Sequence, residues 1–268
     1  MNADSRITGE WMREWARHPL NGEKVSKERT ISIWDSEAGT YSASGYSEIL
    51  PKVIDEMDSL GLFEGTLIDI GCGTGAYAIP FSRRCSEVVA VDSSNAMLDI
   101  LRRRCVESSV PNIDIVECDC SGIPDDLACD TAFSSLCPDM NNPDSILDME
   151  RLGKKRVYIS SSDAGEDSIE VEIWRELGCD YSYRGYMTDY PLRFLQSLGR
   201  EPYIRYFTQK HDNSVPSEKA VERYRHVIGR YRDLTERELS AIDDVISRRT
   251  VNGSVSFARV MRVGMIVW

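Results

Sequence analysis

No C-x-x-C pair occurs in this chain, although eight of its 268 residues are cysteine. Seven of them fall between Cys72 and Cys137, and the three histidines, His18, His211 and His226, stand far from that run. The ligand spacings of structural zinc are therefore missing, and no metal is expected. There is also no apolar run near the ~20 residues a membrane helix needs, which excludes a helical span. Charges are scattered through the first thirty positions (Asp4, Arg6, Glu10, Arg13, Glu14, Arg17), leaving nothing that resembles a secretory signal. A cytoplasmic location with free thiols is the expectation. Finally, positive charge is not in excess. The net charge of −12 argues against a surface built to neutralise a phosphate backbone.

What is present is an ordinary globular composition, 41% hydrophobic and 28% charged, in a length that suits one α/β core with an appendage. The charge is uneven. Residues 61–170 hold 20 acidic and 9 basic side chains, whereas residues 201–268 hold 9 acidic and 12 basic ones. Three regions are expected: cap helices over 1–45, a cofactor-binding core over 46–165, and a helical addition with closing strands over 166–268.

The periodicity fills in these regions. Ile7, Trp11 and Trp15 recur every four residues, which predicts a short helix from Ile7 to Arg17 packed on the core. A second helix is predicted from Ser47 to Leu60. Between them lies a mixed aromatic segment, Trp34 to Tyr41, that suits a cap over a site. Strands and helices then alternate: strands at Thr66–Ile70, Glu87–Val91, Ile113–Val116, Thr131–Ser135 and Arg156–Ser160, and helices at Ala76–Arg84, Asn95–Cys105 and Ser145–Leu152. Crossover helices connect strands of the same sense, so the fold class is a doubly wound α/β sheet, mainly parallel. Beyond 165 the pattern predicts helices at Ser168–Leu177, Pro191–Leu198 and Ser217–Tyr231, with a strand at Tyr203–Thr208. Thr235 and Glu238 form a capping-box pattern that starts a helix running to Arg249. Ser254–Trp268 reads as strand, broken by Gly264.

The strongest motif is Leu67-Ile68-Asp69-Ile70-Gly71-Cys72-Gly73-Thr74-Gly75, an apolar strand running into three glycines at alternate positions. Glycine there permits tight backbone angles and close approach of a ligand to main-chain atoms. Asp92 ends the second strand about twenty residues on, where a carboxylate can accept from both hydroxyls of a ribose. A dinucleotide loop requires G-x-G-x-x-G, and here the third glycine comes one position too early. A nicotinamide-dependent oxidoreductase is thereby disfavoured. Asp69 adds negative charge that would serve a pyrophosphate poorly and a cationic ammonium well.

These residues resemble the first motif, D-x-G-x-G-x-G, of the class I S-adenosylmethionine-dependent methyltransferases. The resemblance covers Thr66 to Ser160 and implies a Rossmann-like, mainly parallel seven-stranded sheet and S-adenosyl-L-methionine as cofactor. It implies that Asp69, Gly71, Gly73, Gly75 and Asp92 bind that cofactor, together with the neighbouring Cys72 and Ser93. Asp119, between Cys118 and Cys120, falls where the family places an acidic partner of the adenine amino group, and Ser135 ends the fourth strand. Met97 either packs near the adenosine or fills the core. Trp34, Ala38 and Tyr41 look like the W-x-x-x-A-x-x-Y entry segment of small-molecule members. Pro80 departs from the pattern by interrupting the first crossover helix.

Methyl transfer from a sulfonium is an in-line displacement that needs alignment and exclusion of water rather than a catalytic triad, and no catalytic residue is assigned. The acceptor is read from the segment after the fourth strand, where Cys137, Pro138 and Asp139 join Trp34 and Tyr41 as substrate-contact candidates. The Asp/Asn-Pro-Pro-aromatic motif of enzymes that methylate planar amines is absent, and Cys137-Pro138 reverses the Pro-Cys order of cytosine-5 enzymes. Tyr181, Tyr183, Tyr186 and Glu172 are conceivable general bases. Lys219, Arg223, Arg225, Arg230 and Arg232 read either as the solvated face of a helix or as an RNA-facing patch. The expected partner is a small-molecule acceptor, with a homodimer left open and neither membrane nor nucleic acid expected. The alternatives are a tRNA or protein methyltransferase, and a catalytically silent protein that binds the cofactor.

Overall fold

In the computed structural model, the residues described are 12, 15, 27–39, 47–124, 126–161, 167–178, 188–229 and 233–268. β1 (Thr66–Ile70) is buried along nearly its whole length, with Leu67, Ile68 and Ile70 at 1% exposure or less. An apolar run of this kind sits between two covered faces, as the interior strand of a parallel sheet does. Each such side chain contributes about 1.5–3 kcal/mol by leaving water. β1 pairs in parallel with β2 (Glu87–Asp92) on one side and β4 (Cys129–Ser135) on the other. β3 (Ile113–Glu117) pairs with β2, and β5 (Gly153–Ser161) with β4, again in parallel.

The sheet has eight strands, ordered β3-β2-β1-β4-β5-β8-β6, with β7 (Thr250–Val251) paired antiparallel to β8 (Ser254–Val267). One strand therefore joins the seven expected. It comes from a tight reversal at Asn252-Gly253, both at positive φ, a backbone that favours two-residue hairpins. β8 also continues straight through Gly264 instead of breaking there. Gly264 lies against Thr188, whose side chain occupies the space a Cβ would need. β6 (Tyr203–Pro216) runs well past the expected end at Thr208.

The helices are α1 (Lys27–Glu37), α2 (Ile49–Ser59), α3 (Ala78–Ser82), α4 (Asn95–Glu107), α5 (Pro143–Leu152), α6 (Ser168–Glu176), α7 (Asp189–Ser197), α8 (Ser217–Gly229) and α9 (Glu236–Arg249). α1 packs on α4; its mixed sequence carried no helical stripe. α3 is shorter than its pattern because Pro80 has no N–H to donate to Ala76. Of the expected Ile7–Arg17 helix only Met12 and Trp15 are described, both helical. Trp15 is buried, stacks on Tyr190 at 6.0 Å between ring centroids and meets Phe194 edge-on. Among the described residues no helix is long and apolar enough to cross a membrane.

Two compact units divide the chain. One comprises Met1–Ser160, Tyr186–Phe207 and Gly264–Trp268; the other comprises Ser161–Gly185 and Thr208–Val263. The first unit's core joins Ile68, Ile70, Val91, Ala132, Met149, Tyr158 and Phe194. The second has its own core, built from Ile169, Ile173, Tyr224, Ile242, Val245, Ile246 and Phe257. There, Asp167 caps α6 by accepting from the Ile169 and Glu170 N–H groups and also accepts from the buried Tyr224 hydroxyl at 2.7 Å. Thr235 and Glu238 form the expected capping box.

Candidate functional site

The strand order reverses at β1, whose neighbours β2 and β4 lead the chain in opposite directions, and in doubly wound sheets the crevice at such a point is where ligands bind. Two segments leave the sheet there. After β1 comes the glycine loop, in which the Gly71 and Cys72 N–H groups both donate to the Val91 carbonyl at 2.8 and 3.0 Å. After β4 comes Leu136, at φ +52, an uncommon conformation for a bulky side chain that costs of order 1–3 kcal/mol. That turn delivers Cys137, Pro138 and Asp139 to the mouth of the crevice, the last two in a 3-10 turn.

The three glycines do different work. Gly71 and Gly75 are packing positions: a Cβ on Gly71 would lie 2.5 Å from Cys137 Sγ, and one on Gly75 would collide with Leu101. Gly73, at φ +52, has open space where its Cβ would be. Close approach of a ligand to backbone is thus available at Gly73, and the loop's other glycines serve its internal fit.

Asp69 is buried at the end of β1 with 2% exposure. Its Oδ2 meets no hydrogen-bond donor among the described residues. Burial, and then the charge of Asp92, push its carboxyl up to about 8, against a backbone hydrogen bond from Ala78. Ionising a buried carboxyl that has one oxygen without a donor is costly, and a cation placed against Oδ2 would favour the charged form. Asp92 is held more firmly: its Oδ2 accepts from Gly73 N–H at 2.8 Å and its Oδ1 from Ser94 N–H at 2.9 Å. Burial raises its pKa, opposed by the N–H groups of Ser94, Gly73 and Ser93. Each oxygen keeps a free lone pair for a further donor.

The remaining expected positions gather around these. The Cys72 thiol is buried and lies 3.7 Å from the Gly73 carbonyl oxygen. The Cys118 N–H donates to the Asp92 carbonyl at 3.2 Å. Asp119 caps a short turn, accepting from Gly122 N–H at 2.8 Å and Ser121 Oγ at 2.5 Å, and is ion-paired with Lys27 of α1. Cys120 opens the short turn capped by Asp119 and is partly exposed, whereas Cys137 is buried. Met97 is buried in the first turn of α4, where its N–H donates to Ser94 Oγ. Ser135 closes β4. Asp139 is largely buried, which raises its pKa, with Lys27 acting in the opposite sense. Trp34 is half-buried on α1, and Tyr41 lies outside the described residues, as do Tyr181, Tyr183 and Tyr186.

Three contributors escaped the sequence pattern. Lys27 is ion-paired with Asp119 and its charge opposes the raised pKa of Asp139, and Asp35 of α1 accepts from Ser94 Oγ at 2.6 Å and from Ala96 N–H at 3.3 Å. Ser94 is the N-cap that relays this contact into α4. A serine followed three residues later by a buried methionine was a legible cap signal, whereas nothing local announces the partners of Lys27 and Asp35. Glu172, a conceivable base, is instead held by Arg249 Nε at 2.7 Å.

Residues 67–152 match the family model of a methyltransferase domain. The chain is 22% identical over 158 residues to a probable cobalt-precorrin-6B C(15)-methyltransferase (decarboxylating) of Methanocaldococcus jannaschii, covering 59% of this chain and 80% of that protein. It is 26% identical over 164 residues to a malonyl-[acyl-carrier protein] O-methyltransferase of Serratia marcescens, covering 58% of this chain and 61% of the relative. Among solved structures it is similar to the YcgJ protein of Bacillus subtilis, with a TM-score of 0.47, 19% identity, and coverage of 78% and 97% of the two chains. Residues 67–152 form a class I S-adenosylmethionine-dependent methyltransferase domain. The protein is an enzyme that uses S-adenosylmethionine as its methyl donor.

Proposed function

We propose that this methyltransferase acts on a small-molecule acceptor, and that Asp69, Gly73, Asp92 and Asp119 hold the cofactor in the crevice between β1 and β4. The chain's residues fit that group. Asp69, buried and lacking a donor on Oδ2, suits the cationic amino-acid end. Gly73 presents backbone to open space. Asp92, already fixed by two N–H groups, has lone pairs left for ribose hydroxyls. Asp119 stands at the end of β3, where its turn and Lys27 fix its orientation. When bound, the cofactor supplies an electrophilic methyl group on a sulfonium. The protein's part is to align the acceptor and exclude water, with Cys137, Pro138 and Asp139 after β4 and Trp34 of α1 as the acceptor-facing candidates.

The small-molecule reading rests on the charge at the mouth of the crevice. Asp92, Asp119 and Asp139 bring three carboxyls to this end of the sheet, where the charge of Asp139 acts on Asp92 and Lys27 is ion-paired with Asp119, an arrangement that repels a polyanion. The basic side chains of α8 also have acidic partners at hand: Arg225 Nη2 donates to both carboxylate oxygens of Asp243 at 2.8 and 2.7 Å, and Lys219 pairs with Glu222. They read as a solvated helix face. Arg230 and Arg232 lie outside the described residues. A cytoplasmic setting, where thiols stay reduced, belongs to the same proposal.

The test is methyl transfer from radiolabelled S-adenosylmethionine, offered in parallel to a small-metabolite extract, bulk tRNA and a protein fraction. Label should enter the small-molecule fraction. Incorporation into tRNA or protein alone would overturn the acceptor reading, and the absence of calorimetric cofactor binding at millimolar concentration would overturn the site.

A further inference from the structure

We propose that Arg104, on α4 and away from the open face of the glycine loop, is a positioning residue that holds the loop in the shape S-adenosylmethionine binds. Its Nη1 donates to the Thr74 carbonyl at 2.9 Å and to Thr74 Oγ1 at 3.2 Å. One guanidinium thus grips both the main chain and the side chain of the residue that follows Gly73. Thr74 is itself buried. Nothing, Arg104 included, stands within 4 Å of where a Gly73 Cβ would lie, so the grip leaves the face offered to the cofactor free.

The grip closes a frame around the site. Gly73 N–H donates to Asp92 Oδ2 at 2.8 Å, and Asp92 Oδ1 accepts from Ser94 N–H at 2.9 Å. Ser94 caps α4, and the same helix comes back to the loop about three turns on. There Leu101 fills the space beside Gly75, and Arg104 bonds Thr74. These two positions are three apart and share a helix face. The frame therefore runs from Gly73 to Asp92, along α4, and back to Thr74. It fixes the backbone at Gly73 and the carboxylate of Asp92 in one geometry.

A loop with glycine at alternate positions has more backbone freedom than any other. Freedom that survives in the unbound protein is lost on binding and subtracts from affinity, whereas a loop ordered in advance avoids that loss. The Leu101 contact is apolar and tolerates sliding. The Arg104 bond is directional and charge-assisted, so it sets the orientation of the Thr74 carbonyl and with it the peptide that leads into Gly75. The effect of Arg104 on affinity rests on the cofactor site set out above; its hold on the loop does not.

The test compares the full chain with Arg104→Met, Arg104→Lys and Arg103→Met. Met keeps most of the arginine stem and removes its donors; Lys keeps charge and donors on a shorter arm; Arg103→Met removes an equal charge from the exposed side of the same helix. S-adenosylmethionine affinity is measured by calorimetry, and hydrogen exchange is followed in the unliganded proteins. Arg104→Met should bind about tenfold more weakly, the scale of one charge-assisted hydrogen bond. Arg104→Lys should fall between it and wild type, and Arg103→Met should match wild type. In free Arg104→Met the amides of Gly73 and Gly75, which donate to Asp92 and to the Cys72 carbonyl, should exchange faster while those of β1 keep their protection. Wild-type affinity in Arg104→Met, an equal loss in Arg103→Met, or faster exchange in β1 and the loop alike would each overturn the proposal. Failure of wild type to bind would overturn the cofactor reading instead, and the exchange of the loop amides would still decide whether Arg104 holds them.

Discussion

Gly71 and Cys137 lie so close that a single methyl on Gly71 would stand 2.5 Å from the Cys137 sulfur. The glycine belongs to the loop after β1 and the cysteine to the segment after β4, so the two lips of the crevice are in direct contact. Gly71→Ala forces both a collision and a side chain onto φ +74. A loss of about 2–4 kcal/mol is expected from strain and overpacking together, read as a lower urea midpoint. Cys137→Gly in the same chain removes both the sulfur and the Cβ, which would stand 2.5 and 2.6 Å from the new methyl, and leaves the φ penalty, so the double variant should recover part of the loss expected from the two single variants. Strict additivity would show that the contact is not the cause.

Gly73→Ala should behave in the opposite way. Nothing stands within 4 Å of its Cβ position, so stability should fall only by the ~1–2 kcal/mol that a left-handed backbone costs an alanine. The same methyl fills the open face offered to the cofactor, and affinity for S-adenosylmethionine should drop by more than tenfold. Calorimetry and denaturation on the same preparation separate the two effects. A variant destabilised as much as Gly71→Ala, with affinity intact, would reverse the assignment of the two glycines.

That division of labour marks the limit of sequence reading. The order of strands and helices was legible because buried parallel strands are continuous apolar runs, and Thr235 with Glu238 was legible because a capping box is local. The acidic strand ends, Asp69 and Asp92, were legible for the same reason. Which glycine faces a ligand depends on Cys137 and Leu101, 66 and 26 residues away in sequence, and no local rule carries that. Likewise α1 has few apolar positions and is held by Lys27 and Asp35 to partners in distant segments. Gly264 was misread as a break because its neighbour Thr188, which fills the side-chain space, is remote in the chain.

Tyr224 and Asp167 anchor the second unit. The Tyr224 hydroxyl donates to Asp167 Oδ1 at 2.7 Å from a fully buried ring. Tyr224→Phe removes that donor and keeps the packing, leaving a buried carboxylate with one hydrogen bond fewer. A loss of about 1–3 kcal/mol is expected, measured as hydrogen-exchange protection of α6 and α8. Unchanged protection in both helices would show that the bond carries no stability.

Asp69 makes the site's proton balance measurable. Its pKa is pushed up to about 8, while an unfolded aspartate titrates near 3.9. Between those values the native state holds a proton that the unfolded state has lost, so stability declines as pH rises from about 4 to about 8, by at most about 1.4 kcal/mol per pH unit for this one group. Asp92 and Asp139 are also raised and slope the same way. The Asp69 share is therefore the difference between wild type and Asp69→Asn, whose urea midpoint should vary less over this window. Binding should show the complementary effect. A cation placed against Asp69 stabilises its carboxylate, so S-adenosylmethionine at pH 7 should release close to one proton, seen as a dependence of the calorimetric heat on buffer ionisation enthalpy. Asp69→Asn has no proton to release and should bind more weakly, with a heat much less sensitive to buffer. Proton release as large in the variant as in wild type would place the titrating group elsewhere in the crevice.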